Sequence, residues 1–249
     1  MKKNNVYFVA DFHFGSPDKA SSKEREKKVL AWLDSIEDSA KEIYLLGDIF
    51  DFWFEYKDLI PKGQTRFLGK LAQMADKGCR IHFFCGNHDM WQRDYLEEEL
   101  GFVLHKTKEI IEIDGKRFMI GHGDGLDTGD RKYELINRLF KSRICTSLFA
   151  SLHPRIAFAL GRFWSRKSRE SHSAKDLTDL KQEEPIYKYC MSVHKKLEID
   201  YFIFGHRHLA CDVAIGDSAR YVNVGEWLEQ NGFALWDGIR LELRRFEHR

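Results

Sequence analysis

At 249 residues, with 43% apolar and 32% charged positions, the chain is composed like a soluble globular protein and is long enough to bury a substantial core. A net charge of +1 removes any global electrostatic argument for nucleic acid as a partner, and no apolar run reaches the roughly 18 residues that a spanning helix needs. The five cysteines are scattered without a Cys-x-x-Cys pair, which suits reduced core thiols in a cytosol better than a disulfide or zinc framework.

Residues 6–10 form an apolar run that reads as a buried strand. The run is too short for a signal-peptide core and ends at Asp11-Phe12-His13. A helical pattern over 22–36 follows, then a second strand over 43–46 that runs into Gly47-Asp48-Ile49-Phe50-Asp51. Helical periodicity returns over 65–77 and stops at Gly78. A third strand over 81–85 leads into Gly86-Asn87-His88-Asp89, and a helix is predicted over 91–100, before Gly101. Strand and helix thus alternate through the first hundred residues, the pattern of parallel βαβ units.

Beyond that point the pattern changes. Residues 109–113 and 117–120 read as a hairpin around Asp114-Gly115, a pair suited to a tight turn, and Gly121-His122-Gly123-Asp124 follows directly. A strand over 201–204 precedes Gly205-His206-Arg207-His208. Further strands are predicted over 221–224, 233–236 and 239–244, the last two joined by Asp237-Gly238. The expectation is an α/β fold, a mixed sheet with helices on its outer faces, in which strands lying side by side bring all the clusters to one edge.

Residues 135–169 stand apart. They carry Arg138, Lys141, Arg143, Arg155, Arg162, Arg166, Lys167 and Arg169 and no acidic residue, while apolar side chains recur at helical spacing from Leu135 to Leu152 and again from Ile156 to Trp164. Two amphipathic helices meeting near His153-Pro154 are predicted, of the kind that contacts membrane surfaces or acidic partners.

The clusters have the chemistry of a metal site. On an extended strand, residues two apart share a face, so Asp11 with His13 and His206 with His208 can each aim two groups at one locus. Glycine before Asp48, Asn87, His122 and His206 removes bulk where the chain must turn. Carboxylate, imidazole and amide oxygen without thiolate favour Mn, Fe, Zn or Mg over soft metals. Asp11, His13, Asp48, Asn87, His122, His206 and His208 are more ligands than one ion requires, and two ions sharing a carboxylate fit them better. Such a pair clamps the oxygens of an in-line phosphoryl displacement, which points to hydrolysis of a phosphoester. His82, His105, His153, His194 and His248 lack this strand-end context.

The clusters, in this order, resemble the calcineurin-like metallophosphoesterase superfamily, whose pattern is Asp-x-His, Gly-Asp, Gly-Asn-His-Asp/Glu, Gly-His and Gly-His-x-His. The resemblance runs from Asp11 to His208 and implies a four-layer αββα sandwich with a dinuclear centre. It implies that Asp11, His13, Asp48 and His208 hold one metal, and that Asp48, Asn87, His122 and His206 hold the other, with Asp48 bridging. By the same resemblance His88, beside Asn87, contacts the phosphate and stabilises charge on it or on the leaving oxygen. The metal pair would be manganese before iron, zinc or magnesium.

Within the superfamily the chain is most similar to the hydrolases of UDP-2,3-diacylglucosamine in lipid A biosynthesis. That likeness rests on Gly47-Asp48-Ile49-Phe50-Asp51-Phe52-Trp53, on residues 122–130, on the basic helical insertion, and on Ser168-Arg169-Glu170-Ser171-His172-Ser173-Ala174-Lys175. It implies that water attacks the α-phosphorus, releasing UMP and 2,3-diacylglucosamine 1-phosphate. Asn87, His88, His206, Asp130, Ser168, His172 and Lys175 would then contact substrate. His88 and His172 depart from the best-known branch, which has Arg and Asn there, and the alternative expectation is a related metallophosphoesterase acting on another phosphodiester or phosphomonoester. One catalytic domain spanning 1–249 is expected, with a cap or lid insertion at about 131–180 whose part over 135–164 covers the acyl chains. The protein is expected in the cytoplasm, peripheral on the inner membrane, with an amphiphilic nucleotide-sugar lipid as substrate, no nucleic acid and no obligate protein partner.

Overall fold

The computed structural model describes residues 3–126, 139–140, 142–172 and 184–247. Strands β1 (Asn5–Val9), β2 (Ala40–Leu45), β3 (Arg80–Phe84) and β4 (Val103–His105) run parallel and are joined by β10 (Gly232–Trp236), antiparallel to β1, and β11 (Leu241–Arg245), antiparallel to β10, into a six-stranded sheet ordered β11-β10-β1-β2-β3-β4. A second sheet holds β5 (Glu109–Ile113), β6 (Lys116–Ile120), β7 (Tyr201–Phe204), β8 (Cys211–Ile215) and β9 (Ala219–Asn223) in the order β5-β6-β7-β9-β8. The clusters therefore emerge from the edges of two sheets, not from one as the sequence alone suggested.

The layering follows from strand alternation. On β1, Val6 and Phe8 pack between the sheets with Phe118, Ile120, Ile203 and Trp236. Tyr7 and Val9 face the opposite way, into a core with Trp32 and Leu33 of α1 (Lys19–Ile36) and Phe67 and Leu71 of α2 (Thr65–Asp76). On β7, Ile203 joins the central layer, whereas Phe202 and Phe204 pack on Ile186 and Cys190 of α6 (Pro185–His194). The result is the αββα sandwich, in which both faces of the inner strands are covered while the edge strands β5 and β8 stay partly exposed. That is why the inner strands read as unbroken apolar runs.

Two predicted elements are corrected. The helix expected over 91–100 contracts to one turn, α3 (Tyr95–Glu98), because Trp91 bridges to Phe54 and the buried Glu55 carboxylate accepts the backbone N–H groups of Arg93, Asp94 and Tyr95. The last two strands are linked by four residues rather than by Asp237-Gly238 alone, since Trp236 pairs with Leu241 and Asp237 Oδ1 accepts from Ile239 and Arg240. Strands β4 and β8 were not foreseen. The hairpin was: Ile113 pairs with Lys116 around Asp114 and Gly115, at φ 50° and 75°. All five cysteines are free, but only Cys79 and Cys190 are fully buried.

The basic segment forms the two expected helices, α4 (Arg143–Ala150) and α5 (Pro154–His172). They rest on an aromatic seat: Phe52 meets Phe149 and Phe158 edge-on at 6.3 and 5.8 Å, and Trp91 stacks on Phe149 at 5.9 Å. The Trp91 indole also donates to the Phe140 carbonyl at 3.1 Å.

His82 and His105, outside the ligand clusters, form a buried pair between the sheets. Their Nδ1 and Nε2 atoms lie 2.9 Å apart, His82 stacks on Tyr44, and Glu42 approaches its Nε2 at 3.4 Å. Burial lowers His82 below the usual imidazole range, outweighing Glu42, which raises it; His105 and Arg80 add to the lowering. A group held neutral in this way contributes stability above the unfolded value of about 6.5, and that stability is lost as pH falls toward the depressed folded value. The melting temperature should therefore drop as pH falls below about 6.5, and less steeply in His82→Phe, as thermal melts across that interval would show.

Candidate metal centre

The site forms where five strand-end loops meet. Asp11 and His13 follow β1, Asp48 follows β2 and Asn87 and His88 follow β3, all on the six-stranded sheet; His122 follows β6, and His206 and His208 follow β7, on the other. The backbone at Asp11, His13, Asp48, His206 and His208 is left-handed, with φ between 44° and 69°. The convergence of Asp11 with His13, and of His206 with His208, thus arises from left-handed turns and not from the strand alternation expected of the sequence. Such conformations each cost on the order of 1–3 kcal/mol and persist where surrounding structure over-determines them. Asp and His are among the residues that tolerate them best.

Two of the glycines explain why no larger residue fits. A Cβ on Gly86 would lie 2.2 Å from Asp48 Oδ1, and one on Gly205 would lie 2.5 Å from Ala10 Cβ and 2.6 Å from Asp11 Oδ2. Each aspartate spends one oxygen on the frame. Asp11 Oδ2 accepts from the His206 N–H at 2.9 Å and Asp48 Oδ1 from the His88 N–H at 2.8 Å. Their remaining oxygens point into the site.

Two loci result. In the first, His13 and His208 bring their Nε2 atoms within 3.0 Å of each other, and Asp11 Oδ1 lies 3.6 and 3.3 Å from them. In the second, His122 Nε2 sits 3.3 Å from Asp48 Oδ2, 3.2 Å from Asn87 Oδ1 and 3.2 Å from His206 Nδ1. Asp48 Oδ2 also lies 3.9 Å from His13 Nε2, between the loci. All seven predicted ligands are gathered, in the two predicted groups.

The donor set fits divalent cations. Asp11 Oδ1 is fully buried with no hydrogen-bond partner, facing imidazole nitrogens. His122 Nδ1 lies 2.8 Å from the Leu46 carbonyl, which can only accept, so Nδ1 carries the proton and Nε2 offers its lone pair to the site. Burial would raise Asp48, but His122 and His88 overcome it and hold the carboxyl well below its ordinary range; Asp11 is lowered in the same way by His208 and His13. Burial and then His122 push His206 down to about 3. Burial would also lower His122, but Asp48 holds it up at about 10, a proton's place that a cation can take.

Three residues given no role by sequence reasoning support this arrangement. The buried Asp89 carboxylate accepts backbone N–H groups from Ile49 and Gly86 at 2.8 Å and from Asp48 and Phe50 at 3.3 Å, tying the Asp48 loop to the Asn87 loop. Burial and the Asp48 charge push it up to about 7. Asp51 Oδ1 lies 3.6 Å from His13 Nδ1, on the side of the ring away from the metal locus. Buried Arg25 donates to the His13 carbonyl at 2.7 Å. An Asp following Asn-His does not announce which loop its carboxylate will tie, and the partners of Arg25 and Asp51 lie in other loops.

His88 lies at the rim, its Nε2 3.9 Å from Asp48 Oδ2 and its ring edge-on to His13. Burial lowers it to about 4, against the pull of Asp48. Of the other predicted substrate contacts, Ser168 and His172 are placed only as positions on α5, and Asp130 and Lys175 lie outside the described residues.

This frame, and a match of residues 5–210 to the calcineurin-like phosphoesterase family model, show that the chain belongs to that family of metal-dependent phosphoester hydrolases. Among its relatives, a Porphyromonas gingivalis protein named UDP-2,3-diacylglucosamine hydrolase is 39% identical over 98% of both chains. Proteins of the same name from Edwardsiella ictaluri and Pseudomonas aeruginosa are 29% and 27% identical, covering 81% and 93% of this chain and 74% and 94% of theirs. A solved E. coli phosphoesterase, Yfce, is more distant, with a TM-score of 0.45 and 14% identity over 95% of this chain and 90% of its own.

Proposed function

We propose that this chain hydrolyses the pyrophosphate bond of UDP-2,3-diacylglucosamine, giving UMP and 2,3-diacylglucosamine 1-phosphate, the substrate that its relatives' names carry. The observation that carries the reading is the juxtaposition of the seven-ligand site with a basic, apolar helical cap. Asp11, His13, Asp48 and His208 would hold one divalent ion and Asp48, Asn87, His122 and His206 the other, manganese being the first candidate. Bound there, the ions supply Lewis acidity toward the phosphoryl oxygens and toward the attacking water.

The chain's own residues do the rest. Asp48, ionised and shared, fixes the spacing of the two loci. His88 turns Nε2 toward the reacting phosphate; once the bound phosphate anion draws a proton onto Nε2, the ring would hydrogen-bond the oxygen on which charge builds as the pyrophosphate bond breaks. The cap shields the site from water and binds the amphiphile. Ile144, Leu148, Ile156 and Phe163 are 74%, 64%, 54% and 51% exposed, alongside Arg143, Arg155, Arg162, Arg166 and Lys167. Apolar side chains ringed by cations match acyl chains joined to a diphosphate, and they suit peripheral contact with an anionic membrane surface. Among the described residues no helix is long and apolar enough to cross a membrane.

Release of UMP from UDP-2,3-diacylglucosamine, followed by mass spectrometry, tests the reading; turnover of small phosphodiesters with none of the lipid would end it. Burying one aliphatic side chain is worth about 1.5–3 kcal/mol, so Ile144→Asp with Leu148→Asp should cut kcat/KM on the acylated substrate at least tenfold. A chromogenic phosphodiester should be turned over at the original rate by the same variant. Equal losses on both substrates would remove the cap's role in binding lipid.

A further inference from the structure

Helix α5 reaches past its aromatic seat to the rim of the metal centre. Ala157, Gly161 and Ser165 recur every fourth residue and are all buried, so they form one narrow ridge along the helix. At Gly161 a Cβ would lie 2.2–2.5 Å from the Phe52 ring, so the helix can approach the loop after β2 this closely only because the side chain is missing. One turn further on, Ser165 Oγ stands 2.9 Å from His88 Nδ1, and the Asp51 carbonyl lies 3.0 Å from the same nitrogen. Both His88 and Ser165 are buried, at 7% and 6% exposure.

A carbonyl can only accept, so His88 Nδ1 carries the proton, which it donates to Asp51 O and shares with Ser165 Oγ. The other nitrogen, Nε2, is then the one left facing the site. We infer that Ser165 is a positioning residue for hydrolysis: from the cap, it and the Asp51 carbonyl clamp His88 in one rotamer and one tautomer. The cap thereby acts on the reaction itself and not only on lipid binding. The inference rests on the reading above that His88 meets the phosphate.

Bis(4-nitrophenyl) phosphate makes the test independent of the lipid. Ser165→Ala should lower kcat on it about tenfold with little change in KM, the scale of loss when the partner that orients an active-site imidazole is removed. Ser165→Thr should restore most of the rate, and Ser165→Cys, close in volume but a poor hydrogen-bond partner, should fall with Ala while melting like the parent. In a His88→Ala background, Ser165→Ala should cost nothing further. Full kcat in Ser165→Ala, or losses that multiply in the double variant, would overturn the inference. His88→Ala at full turnover would instead defeat the reading on which it rests.

Discussion

Replacing Asp48 with alanine is expected to leave the protein folded but without either bound cation, and to lower phosphodiester turnover by at least about a thousandfold. The size follows from the several kcal/mol that a paired-metal site contributes to charge stabilisation in phosphoryl transfer, each 1.36 kcal/mol being tenfold in rate. The effect should exceed that of any ligand confined to one locus, because Asp48 Oδ2 faces His122 at 3.3 Å and His13 at 3.9 Å. Asp11→Ala should lose one ion, since Asp11 reaches only the first locus. Elemental analysis of metal per chain with parallel turnover checks both; an Asp48→Ala protein that retains two equivalents of metal would refute the bridging role.

The second large effect is expected at Asp89, which touches no predicted substrate atom. Its carboxylate accepts four backbone N–H groups in the buried space beneath Asp48 and Gly86. Truncation to alanine leaves those donors without their acceptor, at about 1–3 kcal/mol for each that water fails to reach, so a loss of at least about 3 kcal/mol is expected. The same change frees the left-handed turn at Asp48, φ 52°, so metal affinity should fall along with stability. Asp89→Asn keeps an acceptor oxygen and should lie between the two. Urea unfolding with and without added Mn2+ separates the contributions, and a variant as stable as the parent in both would show that the four contacts are dispensable.

The candidate ligands are legible because their chemistry is concentrated in short clusters at the ends of apolar runs. The structure brings these side chains together, but through left-handed turns rather than strand alternation. Asp11 and His13 converge through backbone at φ 57° and 44°, a conformation that no hydrophobic period announces. The sheets were legible where both faces of a strand are buried. They were not at β4, with three residues, or at β8, Cys-Asp-Val-Ala-Ile at a sheet edge, whose mixed polarity carries no run. The helix expected over 91–100 fails for a reason of long range: Glu55, nearly forty residues away, takes up its first N–H groups. Ser165 was invisible in the same sense. A serine in a basic amphipathic helix carries no signal until the helix is docked and His88 lies beneath it.

Each locus takes groups from both sheets: Asp11, His13 and Asp48 with His208 across the seam, and Asp48 and Asn87 with His122 and His206. A cation held there would be a cross-brace between two layers that at that end otherwise cohere through apolar packing and a few hydrogen bonds, His206 N–H to Asp11 and His122 to the Leu46 carbonyl among them. Loading and global unfolding are then linked equilibria: stripping the ions with a chelator loosens the seam, and resistance to heat rises with the logarithm of free metal.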